Sequence, residues 1–133
     1  MWSKAFVQER ERYDGADMNH YILSCSERLD WERLMRHFGP HWRVLLSHLI
    51  LYGFIYPSAR SRVPAWVMRE LLDRLAPELD APDADDPVCY GTLLSWSQYL
   101  GDVFGGNFRD ARIRPYGTLS AEEVARWTAA DKK

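Results

Sequence analysis

At 133 residues the chain has the length of one domain with a single hydrophobic core. Its 27% charged and 47% hydrophobic residues exclude a disordered tail and a membrane bundle. A net charge of −2 supplies no field to gather nucleic acid, and Cys25 and Cys89, far apart and without CxxC spacing, fit a disulfide framework or a zinc knuckle less well than free thiols. The cysteines read as reduced thiols. With an N-terminus, "MWSKAFVQERERYDG", that lacks an apolar signal core, they point to a cytoplasmic protein. Six Trp, seven Tyr and five Phe imply an aromatic-rich core or an apolar patch kept for a partner, the core being the simpler reading.

Residues 2 to 13 place Trp2, Ala5, Phe6 and Tyr13 on one helical face, and the Asp14-Gly15 pair interrupts them. A second helix over 16 to 26 follows from Met18, Tyr21, Ile22 and Cys25 at spacings of three and four. Asp30 is placed to cap a short third helix with the stripe Trp31, Leu34, Met35, Phe38. Gly39 then stops it and Pro40 fits the first turn of the next. That next helix, about residues 40–56, lies in "FGPHWRVLLSHLILYGFIYP". It is too short to cross a bilayer, which needs ~20 apolar residues. Apolar on nearly every side, it reads as the central helix around which the others pack.

Pro64 opens "VPAWVMRELLDRL", whose expected buried stripe is Trp66, Val67, Leu71, Leu72 and Leu75. The segment "DAPDADDPV", residues 80–88, holds four aspartates and two prolines and reads as an exposed acidic linker. It lacks the Gly and terminal Glu of a calcium loop. Ser95 with Gln98 and Ser120 with Glu123 form two capping boxes, and the loop between those helices has room for one short extended piece. The expected fold is therefore all-α, a single domain over residues 1–133, built as a compact bundle of six or seven helices.

Two groups of side chains could carry chemistry. His41 and His48, seven apart, return to nearly one helical face, and Asp17 and His20 stand at i,i+3 on the second helix. If the two helices pack together, Asp17, His20, His41 and His48 converge as ligands for zinc, manganese or iron. A metal held there would lower the pKa of a bound water for attack on a phosphoester. His37 and His41 have metal spacing too, but Gly39-Pro40 breaks the helix between them. The competing reading makes His20 and His48 hydrogen-bonded core histidines, and it outweighs the metal site. The arginines form the second group: Arg60 and Arg62 flank Ser61, while Arg109, Arg112 and Arg114 crowd a late loop. Guanidinium groups on loops clamp phosphate bidentately, or else pair with surface carboxylates to little effect. Cys89 and the Ser47-His48 pair lack an activating motif.

Five stretches, "WSKAFVQERERYDGADMNH", "LDWERLMRHFGPHWRVLLSHLILYGFIYP", "VPAWVMRELLDRL", "GTLLSWSQYL" and "GTLSAEEVARWTAA", resemble the C-terminal helical part of bacterial nucleotidyltransferase-like proteins. In that family an α/β catalytic portion with a Gly-Ser turn and paired metal-binding aspartates would come first. This sequence has no Gly-Ser dipeptide, and its "DADD" at 83–86 sits in the linker, so the transfer motif has no positions here. Met1 stands where the family's helical part begins, as expected of a truncated frame. Tyr90 and Trp96 replace expected basic residues, which weakens any inherited phosphate contact there. The resemblance implies a helical module without nucleotidyl-transfer activity. Its partner would be a second copy, as a homodimer, or the missing nucleotidyltransferase-fold portion, and its ligand a nucleotide or phosphate. The alternative is a small metal-dependent phosphoester hydrolase using the His/Asp cluster.

Overall fold

The computed structural model describes residues 15–113, and the chain is mostly helical. It forms two compact units that divide between Asp83 and Ala84, inside the acidic segment at 80–88. The helices expected over residues 2 to 13 and after Ser120 lie outside the described residues, as does Arg114. Five α-helices lie among the described residues.

The first unit holds four of them: α1 (Ala16–Cys25), α2 (Trp31–Phe38), α3 (Trp42–Ile55) and α4 (Ala65–Leu75). Local signals set their ends. The Asp30 carboxylate accepts the Arg33 amide at 2.9 Å, satisfying one of the free donors in the first turn of α2. Gly39 ends that helix at φ +46, a conformation that strains L side chains, and the 3-10 turn Gly39–His41 leads directly into α3.

One apolar cluster holds the four helices together. Its members are Met18 and Ile22 of α1, the full stripe Trp31, Leu34, Met35 and Phe38 of α2, Leu45, Leu46, Leu49 and Tyr52 of α3, and Val63, Val67 and Leu71 at and within α4. Burying each such side chain contributes roughly 1.5–3 kcal/mol. Helix α3 contacts α1, α2 and α4, yet it is not covered on every side. Its buried residues occupy one arc, and Ile50, Leu51, Phe54 and Ile55 are exposed on the other, Phe54 at 82%. The expected stripe on α4 is also narrower than its hydropathy suggests. Val67 and Leu71 are buried one turn apart, whereas Trp66 and Leu72, about 100° to either side, are exposed.

The second unit contains β1 (Val88–Cys89), α5 (Trp96–Phe104) and β2 (Arg109–Asp110) among its described residues. The strands pair in parallel, Val88 opposite Arg109 and Cys89 opposite Asp110, with α5 in the crossover between them. Thus the late loop does hold one extended piece. The linker's last residues are structured as well, because Asp86 forms an ion pair with Arg109. Ser95 precedes α5 in extended conformation, but its side chain makes no cap bond and its hydroxyl is buried without a partner. The expected capping box does not form there.

Asp110 ties this unit together. Its buried carboxylate accepts the Thr92 hydroxyl at 2.7 Å, the Arg112 amide at 3.0 Å and the Arg112 guanidinium at 3.0 Å. The same guanidinium lies 3.4 Å over the Trp96 ring, and Trp96 meets Phe104 edge-on at 5.9 Å. Burial pushes the Asp110 carboxyl up, but the bonds from Arg112 and Thr92 outweigh it and hold the group below its ordinary 3.8. A depressed folded-state pKa contributes stability above the unfolded value, and that stability is lost as pH falls through the folded one. Asp110→Asn is therefore expected to destabilise this unit by about 1–3 kcal/mol at pH 7. The gap between variant and wild type should close as the pH drops below 3.8 in urea melts followed by Trp fluorescence. A pH-independent gap would show that the carboxylate's charge is not what holds the unit.

Candidate functional site

Pro57 cannot continue α3, so the chain turns there through the 3-10 segment Pro57–Arg62, kinked at Ala59 (φ −116°, ψ 16°). A buried tyrosine sets the position of that turn. Tyr52 has no exposed surface, and its hydroxyl donates to the Ala59 carbonyl at 3.1 Å. Burial pushes the Tyr52 phenol up against the opposing charge of Arg62, so it remains protonated and able to donate. The Ala59 amide returns a bond to the Tyr56 carbonyl at 3.0 Å, and Val63 N donates to Arg60 O at 3.2 Å before α4 begins.

These bonds leave a groove between α3, the turn and the first turns of α4, with a volume of ≈ 790 Å³. Pockets of roughly 300–1,000 Å³ hold small molecules. The floor is apolar, made by Leu49, Tyr52, Val63 and Met68, and the polar side chains are Ser58, Ser61, Arg60 and Arg69. No carboxylate among the described residues lines it. Among the described residues, neither the Arg60 nor the Arg69 guanidinium makes an ion pair or a hydrogen bond. A Cβ added at Gly53 would lie 3.7 Å from Arg60 Cγ, so the stem of Arg60 runs along α3 at that residue.

The five arginines singled out from the sequence have separate placements. Arg60 lines the groove, whereas Arg62, two residues on, lines a different hollow with Glu27 and Trp31. Arg109 is taken up by Asp86, and Arg112 by Asp110 and Trp96. Arg114 lies outside the described residues. Sequence reasoning missed Arg69, although Ala65, Met68 and Arg69 recur at i, i+3 and i+4 and so share a helical face.

The histidines and Asp17 are placed differently from the metal expectation. His48 is buried on α3, Asp17 and His20 are exposed on α1, and His41 is half-buried in the turn before α3. Among the described residues no group of three or more His, Cys, Asp and Glu side chains could hold a metal ion, so Asp17, His20, His41 and His48 do not converge as one. Burial pushes the His41 imidazole below its ordinary 6.5, which keeps it neutral at pH 7. No protein-family model, curated protein or solved structure matches this chain.

His48, at 1% exposure, is thus a core residue by position. His48→Ala is expected to lower unfolding free energy by about 2–4 kcal/mol, as truncation in a packed core does. Chemical denaturation should give the same loss with and without a chelator. A loss that EDTA reproduces in the wild type would restore the metal reading.

Proposed function

We propose that this chain is a helical binding module for a small phosphate-bearing ligand, a nucleotide or simpler phosphate, held in the groove between α3 and α4. The observation that supports this is two arginines without carboxylate partners, Arg60 and Arg69, over an apolar floor. A guanidinium offers paired N–H donors that match phosphate oxygens, and two of them beside Ser58 and Ser61 supply charge and neutral donors together. The reading agrees with a module resembling the C-terminal part of nucleotidyltransferase-like proteins. Without a Gly-Ser turn or paired strand aspartates, such a module binds but does not transfer a nucleotidyl group.

Titration calorimetry with AMP and with inorganic phosphate tests this. Arg60→Ala and Arg69→Ala are each expected to weaken binding about tenfold, or ~1.4 kcal/mol, and added salt should weaken the wild type. Arg109→Ala, which removes a cation already paired to Asp86, should leave affinity unchanged. Equal losses in all three variants would show a diffuse charge effect instead of a site.

Self-association is the second element of the proposal. The exposed Leu51, Phe54 and Ile55 share one arc of α3, and a second copy laid against that arc by two-fold symmetry would cover them. Sedimentation equilibrium should give a dimer that Phe54→Ser converts to a monomer. A wild-type monomer at every concentration would remove this element and leave the groove untouched.

A further inference from the structure

We infer that the groove takes a phosphate monoester with an apolar body, alkyl or aryl, and does not read a nucleobase. The inference rests on the phosphate reading above and narrows it. The polar lining is concentrated rather than spread: Arg60, Ser58 and Ser61 all lie on the 3-10 turn, and only Arg69 comes from α4. The remainder of the lining is side chains such as Leu49, Ile50, Tyr52, Val63 and Met68.

A base is identified through the donors and acceptors along its edge, which need amide, carboxylate or free backbone partners. Among the described residues, the lining contains no Asn, Gln, Asp or Glu. Leu49 to Gly53 lie within α3, so their amides are used inside the helix. The Tyr52 hydroxyl already donates to Ala59. The two serines stand beside Arg60, where a phosphate would occupy them. A base laid on this floor would leave its edge unpaired, a loss that an alkyl or phenyl group avoids. Such a body gains instead from leaving water, by about fourfold in affinity per buried methylene.

The test titrates the full chain with inorganic phosphate, butyl phosphate, hexyl phosphate, hexanoate and the four nucleoside monophosphates. Hexyl phosphate should bind at least about tenfold more tightly than inorganic phosphate, with butyl phosphate between them. The four nucleotides should agree within about threefold. Arg69→Ala should weaken every phosphate, and Met68→Ser should remove the gain from the alkyl chain while sparing inorganic phosphate. Leu79→Ser, which changes an exposed apolar residue outside the groove, should alter nothing. One nucleotide favoured at least about tenfold over the other three, or no gain along the alkyl series, overturns the inference and leaves the phosphate reading standing. Hexanoate matching hexyl phosphate, with the same dependence on Arg69, overturns the phosphate monoester in favour of a carboxylate. Failure of every phosphate to bind overturns both readings.

Discussion

A hydroxyl inside an apolar core must find an acceptor or lose the free energy of its hydration. Tyr52 is the residue of the first unit on which that constraint acts most strongly. Its ring is part of the core, in line with Leu45 and Leu49 on α3, so its phenol reaches the end of the helix with no water to bond. The acceptor is the carbonyl of Ala59, seven residues on. Closing that bond brings the chain back across the end of α3 and determines where Pro57–Arg62 lies. It also sets where Arg60 emerges and where α4 starts. The groove is therefore not a gap left by poor packing. It is the space between a helix and a turn held apart by a proline and drawn together by one phenol.

Much of this fold was legible from local chemistry. Asp30, the Trp31–Phe38 stripe and Gly39 name α2 and both its ends, because each acts over one turn of chain and needs no tertiary partner. The breaks at Pro57 and Pro64 are equally local. Legibility fails where two readings share a hydropathy pattern. Ile50, Leu51, Phe54 and Ile55 look no different from Leu45 and Leu49, so composition cannot say which arc of α3 is covered. Ser95 has the residue type and backbone of an N-cap, but its buried hydroxyl makes no cap bond.

The candidate site was half legible for a similar reason. Arginines announce themselves, but whether each is spent depends on carboxylates distant in sequence. Arg109 meets Asp86 and Arg112 meets the buried Asp110, so in the second unit the positive charge is used to hold strand, turn and Trp96 in register. In the groove, Arg60 and Arg69 meet no such carboxylate among the described residues. The same side chain is a structural tie in one place and an available cation in another, and only the fold separates the two. The histidines show the reverse case. Seven-residue spacing aligns two side chains only within one continuous helix, and His41 lies in the 3-10 turn before α3, the helix that carries His48.

Gly39 adds a consequence of a different kind. Nothing lies within 4 Å of where its Cβ would be, so volume imposes no limit there. The limit is handedness: φ +46° with ψ −118° is the mirror image of an ordinary extended conformation. An alanine of natural chirality would strain the backbone at this point, while its D-enantiomer would sit at ease in the same empty space. The turn that delivers the chain from α2 into α3 is thus selected by stereochemistry rather than by size, and among the twenty encoded residues only the achiral one satisfies it without strain.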